Sequence, residues 1–141
     1  MSNARMSNGE YVTLSEFRHQ LRRFIHWSEQ LTLEAGVTHL QYLLMLHIKG
    51  YKQREWATIT ELAERLQAKH HGTVALVTRS EKLGLVIRKT GRTDRREVEV
   101  HLTRKGEQLV ERLARQHREE LLRLQGVLAV PGEDQLSQQT T

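Results

Sequence analysis

The sequence contains no cysteine, and this absence excludes several kinds of chemistry. Without a thiol, the chain has no disulfide, no zinc–thiolate site and no cysteine-based redox sensor. No apolar run reaches the ~18 residues that a membrane-spanning helix needs, and no apolar signal-peptide segment stands near the N-terminus. We therefore expect a soluble, cytoplasmic protein without a membrane partner.

Proline occurs once and aromatic residues make up only 5% of the 141 residues, so aliphatic side chains must supply most of the core. A chain of this length predicts one domain. Residues Ser2-Asn3-Ala4 are typical of a cloning remnant, which makes Met6 the expected natural start. We expect disorder over residues 1–10 and over the polar tail at 127–141.

The sequence also lacks the signatures of catalysis. A glycine-rich phosphate loop, a G-x-S-x-G elbow and an H-E-x-x-H helix are all missing, so neither an enzyme nor a cofactor is expected. The chain has eight histidines. Their spacings, such as seven between His19 and His26, are not those of a helical metal pair. No metal site is predicted, although a metal-responsive regulator stays open as an alternative.

Positive charge is concentrated in one segment. Residues 69–105 hold ten Lys or Arg against four Asp or Glu, a net charge of +6, whereas residues 1–68 carry +1 and residues 106–141 carry −2. A localised basic patch is the electrostatic signature of a nucleic-acid site, but a solvated basic surface has the same composition.

Apolar periodicity predicts helices on both sides of this segment. Residues 11–33 have one apolar face, and Gly36 ends that helix. Thr38 and Gln41 form a capping box for a helix over 39–50, which Gly50 closes. Residues 51–57 read as a loop, and Ile59 as a one- or two-residue strand. Thr103 caps a last long helix, with apolar residues that reach 124.

The centre of the chain predicts two short helices and a β-hairpin. The helices cover residues 60–66 and 72–83, and Gly84 ends the second. Residues 85–90 and 97–102 are strands joined by a glycine turn, with Val98, Val100 and Leu102 toward the core. The order predicts a mainly α fold with a small β-hairpin, a winged helix-turn-helix over residues 51–103. Its second helix can enter the major groove, and arginines at the hairpin tip suit the minor groove.

Over roughly residues 11–125, the sequence resembles the MarR family of bacterial regulators. The most specific part of the resemblance is the wing motif Asp94-Arg95-Arg96 followed by Val98-Glu99-Val100-His101-Leu102-Thr103-Arg104-Lys105-Gly106. The other matching stretches are Ile59-Thr60-Glu61-Leu62-Ala63-Glu64-Arg65-Leu66, His70-His71-Gly72-Thr73-Val74 and Arg79-Ser80-Glu81-Lys82-Leu83-Gly84-Leu85-Val86. Two positions depart from the pattern. Ser80 replaces a large apolar residue and is expected to weaken the packing of the second short helix, residues 72–83. Thr78 stands where an acidic residue is common.

The resemblance implies a homodimer whose N-terminal helices (11–50) and C-terminal helix (104–126) interlock. It also implies repression or activation modulated by a small ligand, often an aromatic acid. We predict a sequence-specific regulator of double-stranded DNA, with repression as its output and a palindromic operator. For the ligand we consider a pocket lined by His26, Trp27, Tyr42 and Leu46. Ordinary core or dimer-interface packing is the competing interpretation of these four residues.

Residue types and positions select the candidate DNA contacts. By resemblance, Arg96 is the residue that reaches the minor groove, and Asp94 orients it through a charge-assisted pair. The competing interpretations are a hairpin salt bridge for Arg96 and a winged-helix module that binds protein rather than DNA. The full set of predicted DNA contacts is His70, His71, Thr73, Thr78, Arg79, Arg92, Arg95 and Arg96.

Overall fold

The computed structural model describes residues 5–137, so the predicted cloning remnant at residues 2–4 lies outside the described part. Five long or medium helices and a three-stranded sheet make up most of it. In chain order they are α1 (Asn8–Glu34), α2 (His39–Lys49), β1 (Trp56–Thr58), α3 (Ile59–Leu66), α4 (His70–Lys82), β2 (Val86–Thr90), β3 (Val98–Leu102), α5 (Arg104–Arg123) and the short α6 (Glu133–Leu136). The fold is mainly α with a small antiparallel sheet.

Side-chain caps decide where most helices begin. The predicted capping box of α2 is present, since Thr38 Oγ1 accepts from the backbone N–H of Gln41 and the Gln41 side chain accepts from that of Thr38. Ser7 and Glu10 form a similar box, so α1 begins at Asn8, three residues earlier than predicted. Gly36 and Gly84 follow α1 and α4 with φ of +86° and +76°, a conformation that glycine adopts at low cost.

The segment before α3 differs from the prediction. Residues 51–57 read as a loop, but Trp56–Thr58 is strand β1 and pairs with β3. Ile59 is the first residue of α3 rather than a strand, because Thr58 caps that helix with Glu61. Strand β1 was not predicted because three residues are too few to show an alternation of apolar and polar side chains.

The sheet has the order β1-β3-β2, with both pairs antiparallel. Strand β3 is therefore central, and Val100 on its inner face is wholly buried. The core continues through α2, α3, α4 and α5, where each of Leu44, Leu62, Val77 and Leu113 is at most 1% exposed. Burying one such side chain stabilises the fold by roughly 1.5–3 kcal/mol.

The tail also differs from the disorder that the sequence predicts from residue 127. Residues Glu133–Leu136 form α6, which contacts α1. Residues 138–141 lie outside the described part. Within residues 5–137, no helix combines the length and apolar character needed to cross a membrane.

Candidate nucleic-acid interface

The first turn of α4 is open to solvent. His70, His71 and Gly72 are exposed, and α4 begins at His70, two residues earlier than predicted. Its N-cap, Lys69, makes no side-chain cap hydrogen bond, whereas α1, α2, α3 and α5 each have one. The unpaired N–H groups and the helix dipole favour an anion at this end.

Thr73 does not belong to this exposed surface, which corrects its prediction as a DNA contact. Its side chain is wholly buried, and Thr73 Oγ1 donates to the carbonyl oxygen of Lys69 over 3.0 Å. Ser80 is also wholly buried and donates to the carbonyl oxygen of Leu76 over 2.8 Å. The unexpected hydroxyl of Ser80 is thus satisfied inside its own helix.

Thr78 is engaged by a residue that the sequence analysis missed. The Arg88 guanidinium on β2 donates to Thr78 Oγ1 and, over 3.2 Å, to the carbonyl oxygen of Val74. The backbone N–H of Arg88 donates to Glu81 Oε2 over 3.3 Å. Arg88 therefore fastens α4 to the sheet, and Thr78 serves this contact rather than an open surface. The sequence contained one signal for this contact, since alternation along β2 places Arg88 on the same side as the buried Val86.

The wing, residues 91–97 between β2 and β3, is tightly wound. The backbone N–H of Gly91 donates to Glu97 O over 2.9 Å, and that of Glu97 donates to Asp94 O over 3.0 Å. A Cβ on Gly91 would lie 2.3 Å from Asp94 O, so only glycine fits there.

At the wing tip, Asp94 and Arg96 form an exposed ion pair. Asp94 accepts from the backbone N–H of Arg96 and from its guanidinium, over 2.9 to 3.1 Å. These hydrogen bonds lower the pKa of Asp94 and raise that of Arg96. The Arg96 side chain remains 91% exposed. The predicted orienting contact and the hairpin salt bridge are thus one arrangement, which holds the arginine at the surface.

Arg92, a predicted DNA contact, is engaged within the protein. Its guanidinium donates to Glu99, Nε to Oε2 over 3.1 Å and Nη2 to Oε1 over 2.9 Å. Glu99 is 2% exposed, so this carboxylate needs the arginine as its counter-charge. We therefore assign Arg92 to the base of the wing. The pairing of Arg92 with the buried Glu99 could not be predicted from the sequence, because alternation does not show what covers the outer face of a strand.

Helix α4 and the wing flank one cleft of about 470 Å³. His70 and Val74 of α4 line one side, and Asp94 and Arg96 of the wing line the other, with Thr60 at the start of α3. Within residues 5–137, Arg79 and Arg95 are exposed cations that form no ion pair. The arrangement presents a helix terminus and exposed cationic side chains around a single concave surface.

The predicted ligand pocket is not formed by its four residues. His26 is exposed, Leu46 is half-buried, and Tyr42 is buried and stacks on His117 with ring centroids 4.5 Å apart. Burial raises the pKa of Tyr42 to about 12. Trp27 lines a cavity of about 250 Å³ between α1 and α5. Core packing is therefore the right interpretation of Tyr42. In the described part of the chain, no cluster of three or more potential metal ligands is present.

Comparisons with known proteins agree with this geometry. Residues 35–97 match the sequence model described as the MarR family. The fold is similar to that of AbsC, a MarR family transcriptional regulator from Streptomyces coelicolor, with a TM-score of 0.77 at 21% identity, covering 94% of this chain and 88% of AbsC.

MepR, a transcription regulator of the Staphylococcus aureus multidrug efflux pump MepA, has a TM-score of 0.69 at 21% identity, covering 80% of this chain and 82% of MepR. A MepR variant solved with a bound oligodeoxyribonucleotide has a TM-score of 0.64 at 22% identity, covering 84% and 83%. No curated protein sequence matches the chain. The central segment thus matches the MarR family model, and the described part of the chain has the winged helix-turn-helix fold of solved MarR family regulators.

Proposed function

We propose that the protein is a homodimeric, sequence-specific repressor that binds double-stranded DNA and responds to a small ligand. The match of residues 35–97 to the MarR family model supports DNA-binding transcriptional regulation as the general activity. The observation that carries the specific proposal is the single cleft that His70 of α4 and Arg96 of the wing line from opposite sides. One duplex can then meet the helix in its major groove, about 12 Å wide, and the wing in an adjacent minor groove.

The exposed residues divide between two kinds of contact. His70 and His71 stand at the open terminus of α4, where backbone N–H groups favour a phosphate. Arg79 lies further along the same helix and Arg95 at the wing, and both are free to reach phosphates or base edges. Arg96, held at the exposed wing tip by Asp94, enters the minor groove.

Exposed apolar residues outside the winged helix support a dimer. Tyr11 and Val12 on α1 are each 58% exposed, and Leu122 on α5 is 59% exposed. A second copy that covers these helices would place two α4 helices about 34–36 Å apart, or a multiple of that distance, which favours a palindromic operator. Repression follows where such an operator overlaps a promoter.

The cavity between α1 and α5 is the proposed ligand site. Phe24 and Trp27 supply aromatic faces, and Arg23 supplies positive charge at its edge, whereas Arg123 is paired with Glu120 of the same lining. This lining suits an aromatic acid. A ligand there would weaken DNA binding only by favouring a dimer geometry in which the two α4 helices no longer match the operator.

Selection of bound sequences from a random duplex pool tests the proposal. The expected result is an imperfect palindrome, bound with an affinity that falls steeply with salt. Arg96→Ala should weaken binding to that operator about tenfold or more, because one groove contact is lost. Arg115→Ala, which removes the same charge from α5, is the matched control and should bind within about twofold of the wild type. No enrichment from the pool would refute the proposal.

A further inference from the structure

The outer face of the sheet, which faces away from Val100, carries an unusual set of side chains. Trp56 pairs with His101 and Thr58 pairs with Glu99 across β1 and β3, so these residues share one face. This face is not simply solvated, since the side chain of Glu99 is 3% exposed and that of His101 is 18% exposed. A carboxylate so enclosed must be held by specific donors.

Glu99 has four such donors, three of them from Arg92. The backbone N–H and Nε of Arg92 both donate to Oε2 over 3.1 Å, and Nη2 donates to Oε1 over 2.9 Å. His101 Nε2 donates to Oε1 over 2.9 Å. The Arg92 hydrogen bond above all, then that of His101, lowers the pKa of Glu99 to about 2. Glu99 thus binds both the backbone and the side chain of Arg92, the wing residue that follows Gly91.

The same arginine is also stacked. The Arg92 guanidinium lies 4.5 Å from the centroid of the Trp56 ring, and the Arg54 guanidinium lies 3.9 Å from it. Arg54 in turn donates to Glu61, in the first turn of α3. A continuous series of contacts therefore runs from the helix-turn-helix, through Trp56, to the base of the wing.

We propose that Trp56, Arg92 and Glu99 are positioning residues that set the direction of the wing relative to α4 and thereby allow Arg96 to reach DNA. The inference rests on the proposed function, which it deepens. None of the three side chains needs to touch the duplex. Glu99 fixes the position of Arg92. Because the hydrogen bond from Gly91 to Glu97 closes the base of the wing, the position of Arg92 also fixes the orientation of the wing tip.

The sign of the effect of Glu99→Gln separates positioning from simple electrostatics. The substitution removes a negative charge near the DNA, so without a positioning role it should strengthen binding. If Glu99 positions the wing, binding should weaken about fivefold or more. The NH₂ group of Gln cannot accept where Oε2 of Glu99 now accepts from the backbone N–H and Nε of Arg92, so the wing base loosens and the Arg96 contact is lost. Equal or tighter binding by Glu99→Gln would overturn the inference.

A double-mutant cycle between Glu99 and Arg96 measures an effect on DNA binding that a general loss of stability would not produce. In the variant Glu99→Gln, the further change Arg96→Ala should cost less than about twofold, although it costs about tenfold in the wild type. Arg92→Ala removes the guanidinium from Glu99 and should show the same coupling, measured at a temperature at which circular dichroism shows this variant to be folded. Arg95→Ala removes the same charge and should add independently to Arg96→Ala. Additive losses for Arg92 and Glu99 as well would mean that neither positions the wing.

One arm of the experiment does not involve DNA. Hydrogen exchange at the backbone N–H groups of Gly91, Arg92 and Glu97 should speed up about tenfold or more in Glu99→Gln, while the amides of α2 stay unchanged. Unchanged exchange in the wing would refute positioning even if the protein binds DNA. Faster exchange in a chain that binds no duplex would instead refute the proposed function and leave the mechanical role of Glu99 standing.

Discussion

Two glycines at the same helical position should respond to alanine in opposite ways. Gly72 and Gly106 are each the third residue of their helices, α4 and α5. A Cβ on Gly72 would meet no atom within 4 Å, whereas a Cβ on Gly106 would lie 2.1 Å from the carbonyl oxygen of Leu85. Real Cβ atoms essentially never come within 3.0 Å of such an atom, so in Gly106→Ala the backbone must move by about an ångström.

The magnitude follows from three contributions. Overpacking costs up to about 3 kcal/mol. The displaced Leu85 oxygen also accepts from the backbone N–H of Thr103 over 3.0 Å. Weakening this hydrogen bond costs about 1 kcal/mol. Alanine returns about 0.5–1 kcal/mol through its better helix propensity. Gly106→Ala should therefore destabilise the protein by about 2–3 kcal/mol and lower the melting temperature by about 8 °C.

Gly72→Ala is the matched control, because it changes the same atom at the same helical position without the clash. It should gain about 0.5–1 kcal/mol and raise the melting temperature by about 2–3 °C. Thermal unfolding followed by circular dichroism, at one fixed protein concentration, measures both shifts. A Gly106→Ala protein that melts at or above the wild-type temperature would refute the reasoning, as would equal shifts for the two variants.

Three further predictions concern the wing, the acid stability and the α1–α5 contact. Gly91→Ala should weaken operator binding about tenfold because the wing cannot close; an unaltered gel shift would contradict this. Glu99 has a pKa lowered from 4.5 to about 2 in the folded state. Its contribution is therefore complete above about pH 4.5 and lost as pH falls toward 2. Urea unfolding across that range should show a shallower dependence in Glu99→Gln, and parallel curves would count against the pairing. Ser28→Ala should reduce the free energy of unfolding by about 1–3 kcal/mol, since a buried acceptor loses its donor. The donor is the Ser28 hydroxyl, 2.6 Å from His117 Nε2, and an unchanged urea midpoint would refute the estimate.

Local signals along the chain were enough for the five main helices and the β-hairpin. The Thr38–Gln41 capping box, the glycines after α1 and α4, and the alternation through Val98 and Val100 predicted elements that the structure contains. Such signals act over three or four residues, through hydrogen bonds and side-chain periodicity that the neighbouring residues determine. For the same reason the wing arginines and the open start of α4 could be selected as candidates before any fold was known.

The tertiary structure decided which of those candidates are available. Thr73, Thr78 and Arg92 had the right residue types, but one is buried, one accepts from Arg88 and one is held by Glu99. Periodicity assigns a residue to a face of its own element, but what packs against that face comes from residues distant in the chain. Strand β1, only three residues long, places Trp56 over Arg92 and leaves Arg96 exposed at the tip. The sequence by itself thus determined most of the elements and their order, and long-range packing determined strand β1 and which charged side chains stay exposed.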